Sequence, residues 1–337
     1  MTSKIHSRQT FLAGAATAFA SIAIVRSPAK AAQFNYKYAH NLPLEHPVHV
    51  RSIQMWKDVE RETKGRLVVE TFGNSVLGGD VALLSQLRSG AIQFLNYNAG
   101  FLATLTPAAS LENVAFAFKD EKVAFAAMDG AVGQYRNKEL LSKGIFAFPA
   151  VWGFGFRQMT SGTRPIRSAA DLVGFKMRVP TIKIWIDLFR TLGASPTPVA
   201  AAEIYTSLQT HIVDGQENPY LAIETFKIFE VQKYLSETNH MWTAQSMFAN
   251  PDAWKALPPD IRDIVVRNEI KAAVASRRDA SQLNAALKDK LQRQGLQLLK
   301  PEIGPFRAKL GPYYAGLKNE IGATGWSLLE KYAGKLG

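Results

Sequence analysis

Two stretches of the chain repeat one alternation of strand-like and helix-like residue patterns, and this alternation restricts the fold more than any other feature. In the first stretch, strands are predicted at 34–40, 67–72 and 92–97, with helices at 47–63 and from Asp80 onward. A β-α-β-α-β order predicts a parallel sheet covered by helices, with ligands at the carboxyl ends of the strands.

The alternation pauses and then restarts beyond two extended, aromatic-rich runs at 145–152 and 154–160. A strand at 175–179 stopped by Pro180 and a helix at 182–192 begin the second series. Further helices are predicted at about 119–142, 218–229, 259–294 and 312–332. The 337 residues, 47% of them hydrophobic, suffice for two medium-sized cores. We therefore expect an α/β protein with two lobes, and we interpret the aromatic-rich runs as the first crossing between them.

The start of the chain has the composition of an export signal. Residues 1–8 are polar and basic, residues 11–25 are apolar, and residues 29–31 read Ala-Lys-Ala, a cleavage pattern. The apolar run is shorter than the roughly 20 residues that span a bilayer. We predict that residues 1–32 are a signal peptide and that the mature protein is periplasmic. Gln9 stands where the twin-arginine pattern has an arginine, so both a Tat-like and a Sec route stay open.

The charge of the chain favours an anionic partner. The formal charge is +12, and without the four cations of the predicted signal peptide it is +8. Lysines and arginines are scattered without runs of five, which argues against nucleic acid and membrane surfaces and favours a small acidic solute. Because the chain has no cysteine, disulfides, thiolate metal sites and cysteine nucleophiles are excluded.

Motifs of catalysis and of cofactor binding are missing from the sequence. His46 and His49 have a proline between them and lack the His-Glu-x-x-His pattern, so we predict neither a metal site nor a cofactor. The glycines at 153–155 lack the third glycine and the helix of a dinucleotide fingerprint. Carboxylate pairs such as Asp214 and Glu217 show no sign of separated pKa values. We do not expect an enzyme.

Four segments, in order along the chain, carry a family resemblance. They are G-F-R-Q-M-T-S at 155–161, G-F-K-M-R-V-P at 174–180, G-A-S-P-T-P at 193–198 and V-D-G-Q-E-N-P at 213–219. Together they resemble the solute-binding proteins of tripartite ATP-independent periplasmic (TRAP) transporters, a group often named after dicarboxylate uptake. The resemblance extends over about residues 34–330.

This resemblance implies a receptor that captures a small organic carboxylate, such as a hydroxy, keto, sugar or C4-dicarboxylic acid. It delivers the ligand to the large and small membrane subunits of a permease, and we expect a monomer. The implied fold is a type II-like periplasmic binding protein with a ligand cleft between its lobes and long helices bridging them. We expect lobe I at 33–154 and 244–283, and lobe II at 155–243 and 284–337.

Arg178 is the first candidate for a ligand contact, because in the family the arginine of the R-V-P segment pairs with the ligand carboxylate. A guanidinium offers a planar fork that meets a carboxylate with two hydrogen bonds and stays protonated. The resemblance also assigns the second arginine to Arg157 and an asparagine to Asn218. A surface salt bridge is the alternative for the arginines, and a helix cap before Pro219 is the alternative for Asn218.

The far wall of the cleft is predicted from the family's order of elements and from the strand ends. Turn formation and core packing are the alternative roles for these residues. The alanines at 200–202 replace bulkier residues of related receptors and favour a roomier pocket. The further candidates for ligand contacts are His40, Tyr97, Asn98, Trp152 and Tyr220.

Two other functions remain open on the same fold. One is a periplasmic enzyme, such as an isomerase or lyase acting on the carboxylate. The other is a ligand-sensing subunit that presents its closed form to a membrane kinase.

Overall fold

The computed structural model describes residues 32–336, which form an α/β molecule with two sheets. The predicted signal peptide lies outside the described residues except for Ala32. The strands are β1 Phe34–Ala39, β2 Leu67–Phe72, β3 Phe94–Tyr97, β4 Phe146–Phe156, β5 Gln158–Ser161, β6 Lys176–Val179, β7 Ser195–Pro198, β8 Gly215–Asn218, β9 Tyr234–Ser236, β10 Trp242–Ala249 and β11 Gln297–Leu299. The helices are α1 Pro47–Glu62, α2 Asp80–Ser89, α3 Glu121–Asp129, α4 Ala131–Ser142, α5 Lys183–Thr191, α6 Ile204–Gln209, α7 Tyr220–Thr225, α8 Pro251–Ala256, α9 Pro259–Arg293, α10 Gly304–Ala308 and α11 Gly311–Ala333.

The first sheet has the strand order β2-β1-β3-β10-β4. Strands β1, β2 and β3 are parallel, as their alternation with helices predicts. Strand β10 is antiparallel to both β3 and β4, so the sheet is mixed. The sequence suggested a break at Gly153, but β4 continues through it. A glycine is needed there because a Cβ atom would lie 2.6 Å from Cα of Arg277 in α9.

The second sheet has the strand order β11-β9-β5-β8-β6-β7. Its edge strand β7 contains Pro196 and Pro198 and was not predicted, and an edge tolerates proline because one side of the strand needs no donors. The helix predicted from Asn218 begins two residues later, at Tyr220. Asn218 instead ends β8, and Pro219 holds the cap position of α7 without a side-chain hydrogen bond.

Helix α9 confirms the long helix predicted at 259–294 and contacts elements beside both sheets. The indole Nε1 of Trp152 in β4 donates to Oε1 of Glu269 at 2.9 Å. Near the other end of the helix, Asn284 donates to the carbonyl oxygen of Phe154 and accepts from the backbone N–H of Leu221, both at 2.9 Å. The helix is thus a bridge between the two sheets, as expected for a two-lobed binding protein.

One predicted helix is divided in the structure, and the predicted C-terminal helix is confirmed. The helical region predicted up to residue 142 is broken at Gly130 into α3 and α4, because Gly130 leaves the helical conformation. The tail helix is confirmed as α11. No helix within residues 32–336 is both long and apolar enough to cross a membrane.

Candidate ligand-binding site

Arg178 lies near the end of β6 and is only 2% exposed. Its Nε and Nη2 atoms donate to the backbone carbonyl oxygen of Val199 at 2.9 and 2.6 Å. Within residues 32–336 no carboxylate lies at ion-pair distance from this guanidinium. Burial above all lowers the pKa of Arg178 to about 10, so the side chain stays charged at neutral pH. A buried cation without a counter-ion is a binding point for an anion.

Arg157 lies between β4 and β5 and, in contrast, already has a counter-ion. Its Nε and Nη2 form a fork with the carboxylate of Glu217, and Nη2 lies 2.9 Å from Oε1. The same Nη2 donates to Oδ1 of Asn218 at 3.0 Å. The ring of Trp185 lies 5.4 Å from the guanidinium carbon, within the range of a cation–π contact. Arg157 is therefore held rigidly in its place.

Glu217 extends this ion pair to a buried histidine. Its Oε2 lies 3.1 Å from Nε2 of His240, whose Nδ1 is 2.7 Å from the hydroxyl of Thr238. Burial acts to raise the pKa of Glu217, but Arg157 and the hydrogen bond from His240 outweigh it and hold that pKa below its usual range. Burial lowers the pKa of His240. Glu217 has a structural role that the sequence did not reveal, although it lies inside the Q-E-N-P segment.

A cavity of about 50 Å³ collects Arg178, Arg157 and Asn218 at one place between the two sheets. The space is small despite the alanines at 200–202, and three phenylalanines and Trp185 contribute to its wall. Its polar lining residues are Asn41, Asp80, Asn98, Arg157, Arg178, Asn218, Thr243 and Gln245. Its apolar lining residues are Leu42, Phe101, Phe154, Pro180, Ile182, Trp185, Ala201, Ile204 and Phe226.

Asn98 also lines the cavity, but most of its hydrogen-bonding capacity is used. Its Oδ1 accepts from the backbone N–H of Gly100 at 2.9 Å, which caps a short 3₁₀ turn. Its Nδ2 donates to Glu112 and to the carbonyl oxygen of Ala244, both at 3.0 Å. Asn98 thus caps the turn, which was the alternative role considered for it, and it also lines the cavity.

Tyr97 and His40 lie next to the cavity without lining it. The Tyr97 hydroxyl donates to the carboxylate of Asp80, and its ring packs on Phe101 at 4.3 Å. His40 Nε2 is 2.9 Å from Nδ1 of His49, and its own Nδ1 accepts from a backbone N–H. Both side chains are therefore engaged by protein groups beside the cavity.

Trp152 and Tyr220 lie farther away, in packing roles. Trp152 is fully buried against α9, as described above. The hydroxyl of Tyr220 donates to Glu237 at 2.5 Å, and its ring is partly buried. The sequence indicates only the start of a helix at Asp80, yet this residue lines the cavity, as does Gln245, for which the sequence predicts no role.

The geometry of the cavity is that of a binding site for a small anion. Within residues 32–336 no group of three or more acidic or histidine side chains is arranged to hold a metal ion. The cavity lies at the carboxyl ends of strands from both sheets, which is where α/β proteins bind ligands.

Comparison with known proteins agrees with this geometry. The family model of the bacterial extracellular solute-binding proteins, family 7, matches residues 38–320. The chain belongs to this family. The chain is also similar to the sialic acid-binding periplasmic protein of Vibrio cholerae, with 31% identity over 276 residues, covering 82% of this chain and 86% of that protein.

Two solved structures of TRAP periplasmic solute-binding proteins have a fold similar to that of this chain. The protein from Polaromonas, solved with bound D-erythronate, superposes with a TM-score of 0.84 at 30% identity, covering 90% of this chain and 99% of that one. The protein from Sulfurospirillum deleyianum, solved with bound succinate, gives a TM-score of 0.84 at 25% identity over 90% and 99% of the two chains. This chain is therefore a TRAP transporter solute-binding protein with the two-lobed α/β fold of its family.

Proposed function

We propose that this receptor binds a small organic acid with the ligand carboxylate on Arg178, and that it releases the acid to a membrane permease. The observation that carries the proposal is the burial of Arg178 without a carboxylate partner, within a cavity that contains no other unpaired arginine among residues 32–336. In a cavity shielded from water, a charged hydrogen bond of this kind is strong.

Arg157 and Asn218 support the carboxylate from the side. Because Glu217 occupies the Nε and Nη2 of Arg157, the Nη1 is the part of that guanidinium left for a ligand. Asn218 uses Nδ2 to donate to Gln216 at 2.6 Å and retains a second amide hydrogen. These two side chains thus fix the direction from which a carboxylate meets Arg178.

The test is calorimetry with organic acids and a matched pair of variants. D-Erythronate, galactonate, glucuronate and succinate are titrated, with erythritol as a neutral control that carries hydroxyl groups but no carboxylate. Arg178→Lys keeps the charge and loses the fork, and we expect at least about tenfold weaker binding of the preferred acid. Arg88→Lys, on an exposed part of α2, is the control and leaves affinity unchanged. Equal affinity of Arg178→Lys and the native protein contradicts the proposal.

We further propose that the protein binds its ligand without converting it, as a monomer in the periplasm, after export of the chain by a Sec or Tat-like signal. We also propose that lobe I comprises residues 33–154 and 244–283 and lobe II residues 155–243 and 284–337. The family's role as a transporter component supports binding without conversion. So does the engagement of Asp80, which lines the cavity, and of Glu217, which pairs with Arg157, in hydrogen bonds to protein groups. Mass spectrometry of ligand recovered after hours of incubation checks it. Recovery of an altered acid would favour the enzyme alternative.

A further inference from the structure

We infer that the ligand is a monocarboxylate bearing hydroxyl groups, and that Asp80 and Asn41 select it against dicarboxylates. This inference rests on the proposed function, since it assumes that one carboxylate occupies Arg178. It is carried by the charges and by the hydrogen-bonding capacity of the other residues that line the cavity.

The cavity offers one cation that has no direct ion pair among the described residues. Among the described residues, its ionisable lining groups are Arg157, Arg178 and Asp80. Arg157 is neutralised by Glu217, so Arg178 is the cation available to a ligand. A second carboxylate on the ligand would be buried without a cation and close to the carboxylate of Asp80, which is costly.

Asp80 is a buried acceptor that joins several parts of the cavity wall. It is 3% exposed and accepts hydrogen bonds from the Tyr97 hydroxyl, from Nδ2 of Asn41 at 3.1 Å and from the backbone N–H of Ala201 at 3.4 Å. A carboxylate has about four lone-pair sites, so one remains for a ligand group. Only a hydrogen-bond donor fits that site.

Asn41 presents a second acceptor because its orientation is fixed. Its Nδ2 has to face Asp80, since a carboxylate can only accept, and this leaves Oδ1 buried without a partner among the described residues. Gln245 also lines the cavity, and its Oε1 is likewise buried without a hydrogen-bond partner among the described residues. A hydroxyl group donates to such oxygens, whereas an ionised carboxylate cannot. Acceptors left unpaired disfavour a ligand without hydroxyl groups.

The experiment compares three four-carbon acids by calorimetry on the native protein. D-Erythronate carries hydroxyl groups, butyrate carries none, and succinate replaces them with a second carboxylate; galactonate and glucuronate extend the hydroxylated set. We expect the best hydroxylated acid to bind at least about tenfold more tightly than butyrate and succinate, because sites built to pair hydroxyl groups reject analogues that lack them.

The variant Asp80→Asn tests the selecting residue at nearly constant size. It removes the negative charge and adds a donor, so we expect the affinity ratio between the hydroxylated acid and succinate to fall by at least about tenfold. Asp263→Asn, on an exposed position of α9, is the control and leaves the ratio unchanged. Melting curves check that both variants fold, and if Asp80→Asn does not fold, the native panel decides.

The outcomes separate this inference from the proposed function. If succinate binds the native protein as tightly as the best hydroxylated acid, the inference is overturned while the role of Arg178 stands. An unchanged ratio in folded Asp80→Asn overturns the assignment to Asp80. If none of the acids binds, the proposed function itself fails, and the inference fails with it.

Discussion

Arg157 and Arg178 have the same side chain and similar burial, but their surroundings give them different roles. Both arginines could be chosen from the sequence, because each lies in a segment typical of the family. The ion pair between Arg157 and Glu217 could not, since it depends on the antiparallel register of β5 and β8, in which Met159 faces Glu217 and Gln158 faces Asn218. The sequence identifies candidate cations, and only the register tells which one is left unpaired.

At the same scale, Glu217→Gln tests the ion pair. The variant leaves the buried charge of Arg157 uncompensated, so we expect the free energy of unfolding to fall by about 3–5 kcal/mol. Urea unfolding at pH 7 measures it. Glu60→Gln, on an exposed position of α1, is the control with an expected change below about 0.5 kcal/mol. Equal stability of the two variants would mean that Glu217 is not needed to balance Arg157.

His46 contributes to the pH dependence of stability, together with His40, whose pKa burial also lowers to about 3. Burial lowers the pKa of His46 to about 3, whereas an unfolded histidine has a pKa of about 6.5. Below pH 6.5 the unfolded state binds a proton that the folded state does not, so stability is lost as the pH falls, by about 1.4 kcal/mol per unit for this histidine. His46 caps α1, with Nδ1 accepting from the backbone N–H of Val48 at 3.2 Å. His46→Asn keeps such an acceptor, and we expect a shallower loss between pH 6.5 and 4.5 in urea unfolding. The exposed control His211→Asn keeps the native slope, and a native slope in His46→Asn refutes the assignment.

At the scale of elements, the contact between β4 and α9 depends on a missing side chain. An alanine Cβ at Gly153 would lie 2.6 Å from Cα of Arg277 and 2.8 Å from the carbonyl oxygen of Ser276, and backbone atoms cannot move aside cheaply. We expect Gly153→Ala to lower the free energy of unfolding by about 1–3 kcal/mol or more. Gly316→Ala, in α11 with open space around it, should instead raise it by up to about 1 kcal/mol. Thermal unfolding compares them, and similar values for both would contradict the close packing.

Glu269 lies at the same contact between β4 and α9. Its titration lowers stability as the pH rises, which is opposite to the effect of His46. Burial raises its pKa to about 8, so the folded state is protonated at pH 7 while the unfolded glutamate, with a pKa of about 4.3, is ionised. Its contribution to stability is therefore lost as the pH rises from about 4.3 to about 8. Glu269→Gln removes this titration. As the pH rises from 6 to 8.5, we therefore expect the native protein to lose about 2 kcal/mol of its free energy of unfolding that the variant retains. Urea unfolding with Glu60→Gln as control decides, and parallel pH curves would exclude the raised pKa.

The elements themselves were predictable where their patterns are long. Helices α9 and α11 agree with the prediction within one residue at each end, because caps, prolines and glycines mark both ends. The three-residue strands β9 and β11 and the proline-containing β7 depend on tertiary pairing, for which the sequence holds little local signal. Trp152 shows the same limit, since an aromatic residue in a strand reads alike whether it faces a ligand or a helix.

At the scale of the whole molecule, the restart of the alternation predicted two α/β lobes, and the family's fold confirms them. The wall of the cavity was harder to predict, because it joins residues from the ends of several strands in two sheets. Arg178, Arg157, Asn218 and Asn98 are brought together there. Asp80 escaped notice because its role depends on contacts with Tyr97, Asn41 and Ala201, which are distant in sequence.

The central claim is that Arg178 receives the ligand carboxylate, and a crystal structure with D-erythronate or the tightest-binding acid of the panel tests it most directly. We predict that both carboxylate oxygens lie within about 3 Å of the Arg178 guanidinium, with Arg157 still paired to Glu217 and a ligand hydroxyl on Asp80 or Asn41. A ligand whose carboxylate lies away from Arg178, or that displaces Glu217 from Arg157 to reach a cation, would contradict the account.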